Sequence, residues 1–122
     1  MPEIDKGNII VEKSFELALT IIDFCELLSS KSKFVFSNQL LRCGTSIGAM
    51  VAESQDAESK ADFVHKMKIA LKEAKETHYW LSLCEKSSHL PSPPSALNIQ
   101  CEEVIRILSK IVVTAKTNNT GK

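Results

Sequence analysis

Apolar positions recur every three or four residues in four stretches of the chain, separated by short polar breaks, a pattern that predicts amphipathic helices. In the first, about residues 8–28, Val11, Phe15, Ala18, Ile22 and Cys25 form one seam, and Leu17, Ile21, Phe24 and Leu28 form a second. Two seams make a stripe wider than a coiled-coil edge. Ser29-Ser30-Lys31-Ser32-Lys33 interrupts it. The second stretch, about 35–54, carries Leu40, Gly44, Gly48 and Ala52 at intervals of four beside a core stripe of Leu41, Ile47 and Val51. An interior glycine costs about 0.8–1 kcal/mol relative to alanine. Two on one stripe therefore predict a close approach, either by another helix or by a ligand against bare backbone.

The third stretch, about 59–86, opens with Ser59-Lys60-Ala61-Asp62, which reads as a capping box. Phe63, Met67, Ala70, Ala74 and Leu81 mark one apolar line, and Ile69, Trp80 and Leu83 another. His89-Leu90-Pro91-Ser92-Pro93-Pro94 ends that helix, with Ser92 and Pro93 suited to the N-cap and first position of the next. The fourth, about 93–116, places Leu97, Cys101, Val104, Leu108, Ile111 and Ala115 on a heptad seam, and the polar tail after Lys116 is expected to fray. Long helices with brief connections predict an all-α, antiparallel, up-down four-helix bundle, a single domain over 1–122. The stripes exceed what one interior needs, above all on the first and third helices, and the excess predicts an oligomer.

Charge changes the picture little: Lys and Arg total 15, as do Asp and Glu, so no global field draws the chain to nucleic acid or anionic lipid. No apolar run reaches the length of about 18 residues that suggests a membrane span, and the start lacks the regions of a signal peptide, so the expected compartment is cytoplasmic. Cys25, Cys43, Cys84 and Cys101 fall one per helix among apolar neighbours with no C-x-x-C pair, and read as buried thiols.

Candidate chemistry is sparse. Gly44-Thr45-Ser46-Ile47-Gly48 lacks the Gly-Lys-Ser/Thr ending and the preceding strand of a phosphate loop, and the Thr45 and Ser46 hydroxyls can bond to carbonyls of the preceding turn. A di-metal bundle site needs two Glu-x-x-His motifs; the nearest match is Asp62-Phe63-Val64-His65, with Glu26, Glu53 and Glu102 free to face inward. No nucleophile, base and orienting group stand out, so no catalytic, cofactor or metal residue is assigned. His65, Lys68, Lys72 and Lys75 make a basic line that Tyr79 extends, as a nucleic-acid surface would. Against that, Asp62–Lys66 and Lys72–Glu76 fit ion pairs of a solvated helix face.

An ordered set of residues carries a family resemblance over most of the chain: Gln39-Leu40-Leu41-Arg42, Ser46-Ile47, Ala52-Glu53, Ser59, Asp62-Phe63, Met67-Lys68-Ile69-Ala70-Leu71, Glu73-Ala74 and Glu76-Thr77. In these the chain resembles the small bundle proteins encoded in intervening sequences of bacterial 23S rRNA genes. It is also similar to the accessory protein of diversity-generating retroelements, whose basic ring binds nucleic acid and a reverse transcriptase. The resemblance implies a four-helix bundle assembled as a ring, most often a homopentamer, with no catalytic residues to carry over. It points to Arg42, Ser46 and Glu53 as shared assembly or partner positions, and Arg42 and Glu53 are equally suited to satisfying neighbouring helices. The family's paired arginines are here Leu41-Arg42, its usual Asn is Met50, the Gly after Glu53 is Ser54, and the Arg that follows is missing around Gln55-Asp56. The expected function is a non-enzymatic homo-oligomeric scaffold or adaptor. The alternatives are weak nucleic-acid binding and, remotely, a metal-dependent bundle enzyme.

Overall fold

Helix α1 spans Ile9–Ser30, α2 Phe34–Ser54, α3 Lys60–Lys86 and α4 Ser95–Thr120 in a computed structural model that describes residues 8–120, with side chains to Thr117. Each helix packs on its neighbours in the chain and α4 closes against α1, while the backbones of diagonal pairs stay apart. This is the antiparallel up-down bundle that short connections impose.

Local chemistry sets the ends. Ser59 Oγ accepts from the Asp62 amide at 3.0 Å, but the Asp62 carboxylate answers the amide of Glu58, at 3.2 Å, rather than that of Ser59. The α1–α2 turn places Ser32 at φ 61°, and the Lys33 amide reaches back to the Leu28 carbonyl at 2.9 Å, satisfying a helix-end acceptor. The expected start of α4 at Pro93 is wrong by two residues. A proline disfavours helical backbone in the residue before it, so Pro94 keeps Pro93 out of the helix; the Leu97 amide then bonds to the Pro94 carbonyl at 3.0 Å. At the other end α4 extends past the expected Lys116 to Thr120, because each residue added to an established helix gains a bond.

The interior takes one seam from each helix. On α1 it is Leu17, Ile21, Phe24 and Leu28, joined by Ile10 and Cys25; Val11, Phe15 and Ala18 are half-buried and Ile22 is exposed. On α2 it is Leu40, Cys43, Gly44, Ile47 and Val51. Leu41 and Ala52 point outward, contrary to expectation, because the inward arc is already filled and each step along a helix turns about 100°. On α3 the buried line of Met67, Ala70, Ala74, Thr77, Leu81 and Cys84 is mostly small. On α4 the seam holds from Leu97 to Leu108 and then passes to Val112, leaving Ile111 and Ala115 half-buried, as a straight helix drifts from a seven-residue repeat. The surplus apolar surface lies on α1 (Ile9, Leu19, Ile22, Leu27) and on the first half of α2 (Phe34, Val35, Leu41), with Ile99 and Val113 exposed singly on α4; on α3 Tyr79 is the one large exposed hydrophobic, which corrects the expectation for that helix.

The glycine stripe meets α1. A Cβ on Gly44 would lie 2.8 Å from Cγ2 of Ile21, a stiff, fully buried β-branched side chain, whereas one on Gly48 would lie 3.5 Å from the Ser14 carbonyl oxygen, an ordinary contact. The close approach is therefore at Gly44, and Ala52 takes no part in it. Gly44→Ala should lower stability by about 1–3 kcal/mol through overpacking, offset in part by helix propensity. Gly48→Ala should be neutral or stabilising by up to about 1 kcal/mol. Chemical denaturation of both variants checks this, and equal effects would contradict it.

Candidate functional site

Three positions singled out by the resemblance lie on α2. Arg42 and Glu53 both engage α3. The Arg42 guanidinium pairs with Glu76 and, at 3.4 Å, with Glu73, and a third contact holds its own-helix Gln39 at 3.0 Å. Glu76 also accepts from the Trp80 indole at 3.1 Å, and Trp80 stands edge-on to Phe36 with ring centroids 5.8 Å apart. Glu53 pairs with Lys66 at 3.4 Å. Ser46, between them, donates to the Arg42 carbonyl at 2.7 Å. Eleven residues of helix separate Arg42 from Glu53, about 16 Å along the axis, so these are two clamps on one seam and not one cluster. Both are solvent-screened, and exposed pairs of this kind contribute little to stability. Their effect is to hold the register of α2 on α3. The pairing of Arg42 with Glu73 and Glu76, and of Glu76 with Trp80, is not legible in the sequence, because nothing in it sets which turn of α3 faces Arg42.

The glycine-flanked segment makes no phosphate cradle. It lies within continuous helix, and Thr45 donates to the Leu41 carbonyl at 2.6 Å. Glu26, Glu53 and Glu102 all face solvent, which corrects the option of inward carboxylates. Among the described residues no group of three or more His, Cys, Asp or Glu side chains converges on a metal position. His65 is exposed, and His78 lies 3.7 Å from Glu102 of α4.

His65, Lys68, Lys72, Lys75 and Tyr79 are all exposed on α3. Asp62–Lys66 forms at 3.8 Å, but Lys72–Glu76 does not, because Glu76 is held by Arg42 and Trp80. Among the described residues no carboxylate lies within 4.0 Å of the Lys68, Lys72 or Lys75 ammonium. The basic row is thus less neutralised than its neighbouring acids suggest.

The four thiols are buried and free. Burial raises Cys25 and Cys84 to about 11 and Cys101 to about 12. Burial likewise raises Cys43, against the opposing effect of Thr77, whose hydroxyl lies 3.2 Å from the sulfur.

The profile of the 23S rRNA-intervening sequence protein family matches residues 6–110. The chain belongs to this family. Among solved structures it is similar to a protein of unknown function from the S23 ribosomal protein family of Bacteroides thetaiotaomicron, 40% identical, with a TM-score of 0.79 over 84% of this chain and 97% of that one. No curated protein matches the chain. No described helix is long and apolar enough to cross a membrane.

Because the folded thiols hold their protons above the ordinary value of 9.0, an unfolded chain releases them first as the pH rises. Stability should be unaffected by the thiols below about pH 8, where both states are protonated, and should fall from about pH 9 through the folded values. Denaturant midpoints across pH 7 to 11 check the sign. At pH 8 an aromatic disulfide reagent should titrate all four cysteines only after unfolding.

Proposed function

We propose that this chain is a non-enzymatic, homo-oligomeric four-helix-bundle scaffold or adaptor, a ring of the pentameric kind that the family resemblance implies. The observation that carries it is the apolar surface on the outer side of the α1–α2 hairpin: Leu19, Ile22 and Leu27 on α1, with Phe34, Val35 and Leu41 on α2, each at least 40% exposed. The turn at Lys31–Lys33 brings the end of α1 that bears Leu27 beside the start of α2 that bears Phe34 and Val35. Large contiguous apolar patches are uncommon on monomers and mark interfaces. In this reading the Arg42 and Glu53 clamps fix the hairpin against α3, so that the interface is presented by a rigid element.

Light scattering on the purified chain at micromolar concentration should give several times the 13.5 kDa of one chain. Leu19→Glu with Ile22→Glu should yield a monomer of unchanged helicity, because both side chains already face solvent. A wild-type monomer contradicts the proposal.

The unneutralised row of Lys68, Lys72 and Lys75 favours a second reading, nucleic-acid binding. Repeating the row around a ring multiplies a modest attraction, since linked weak sites gain effective concentration. Binding should show no sequence preference, with Kd no tighter than roughly micromolar at physiological salt and a steep loss as salt rises. Labelled RNA and duplex DNA titrated with the wild type and a Lys68/Lys72/Lys75→Glu variant test it. Tight, salt-insensitive binding contradicts the electrostatic mechanism, and no binding at low salt leaves the protein scaffold alone.

A further inference from the structure

Where α1 and α3 begin and α4 approaches its end, the bundle does not close. An open cavity of about 640 Å³ lies there, walled by Ile9, Phe63, Ile107 and Ile111. Its volume falls within the range of small-molecule sites, about 300–1,000 Å³. Ile9 is half exposed, and Phe63, Ile107 and Ile111 are only partly buried against the core, so among the described residues they leave apolar surface uncovered. The charged groups in the lining are two lysines, Lys60 and Lys110, with no carboxylate among the lining residues. Both lysines are exposed, and neither has an ion-pair partner among the described residues. Lys60 is also the first residue of α3, where helix amides present their positive end. An apolar hollow rimmed by unpaired ammonium groups selects against cations, and it offers a neutral hydrocarbon nothing at the rim.

We propose that this cavity binds a free anionic amphiphile, a medium-chain carboxylate, with its hydrocarbon against Ile9, Phe63, Ile107 and Ile111 and its carboxylate toward Lys60 and Lys110. The open side leaves the head group in contact with water, where charge-assisted contacts are modest but set the orientation. The site is distinct from the α1–α2 surface assigned to self-association, and its occupancy does not depend on that assignment.

The test titrates the full-length protein, labelled at isoleucine methyls, with decanoate and with decanol, both below aggregating concentrations. Decanoate should shift the Ile9, Ile107 and Ile111 methyls saturably and bind more tightly than decanol. Lys60→Glu with Lys110→Glu, both at exposed positions, should weaken decanoate roughly tenfold, the scale of two exposed charge contacts reversed, and leave decanol unchanged. Equal affinity for the two ligands, insensitive to the variant, overturns the role of the lysines. Absence of saturable shifts, or shifts concentrated at Ile22 on the α1–α2 face, overturns the site. Association with phosphatidylglycerol vesicles without binding of free decanoate overturns the proposed ligand in favour of a membrane surface.

Discussion

The contact between Gly44 and Ile21 sets the spacing of α1 and α2, and most of the architecture follows from that spacing. With no Cβ at position 44, Ile21 seats against α2 at a distance no other residue permits. The same approach aligns the hairpin, and its end is tied by buried polar groups: Ser37 Oγ bonds to the Cys25 carbonyl at 3.1 Å and pairs with Ser29 Oγ at 2.8 Å. Once α1 occupies that side of α2, its adjacent face is left for α3, where Arg42 and Glu53 find their partners. The interior is then filled by small and medium side chains, including all four thiols, each too desolvated to ionise near neutral pH.

An interior so fully used for packing leaves chemistry to the outside. Among the described residues three exposed features stand out: an apolar strip on α1 and α2, a basic row on α3 without ion-pair partners, and an apolar cavity with a lysine rim at one end of the bundle. Each follows from a local surplus. The strip exists because α1 carries Leu19, Ile22 and Leu27 outside the arc that Leu17, Ile21, Phe24 and Leu28 fill in the core. The basic row stays unneutralised because Arg42 and Trp80 take Glu76 away from Lys72. The cavity lies where Ile107 and Ile111 of α4 and Phe63 of α3 reach the end of the bundle and, among the described residues, none fills the space between them.

The number of helices, the main core seam of α1, that of α4 as far as Leu108 and the burial of the cysteines were legible because they depend on periodicity, which a single sequence carries. What depended on register was not. Gly44 and Gly48 look equivalent along the chain, yet one faces a branched side chain and the other a serine carbonyl. Arg42 meets acids 31 and 34 residues away, and only the lateral setting of α3 decides which. Leu41 looks like core because it is a leucine on an apolar helix, but Leu40 and Cys43 already occupy the inward arc. Pro93 fitted a helix start by residue type, and its neighbour Pro94 excluded it. For the candidate site, the basic row could be read directly, whereas the loss of its acidic compensation required the partners of Glu76 to be known.

In the proposed assembly the α1–α2 strip is covered by another copy of the chain while the basic row on α3 stays open to solvent. Carbene footprinting at micromolar and at strongly diluted concentration tests it most directly, because it reads individual side chains and not mass alone. The account predicts that Leu19, Ile22 and Phe34 are protected at the higher concentration and become labelled on dilution, with Tyr79 labelled equally at both. Labelling of Leu19, Ile22 and Phe34 that is strong and independent of concentration would contradict it.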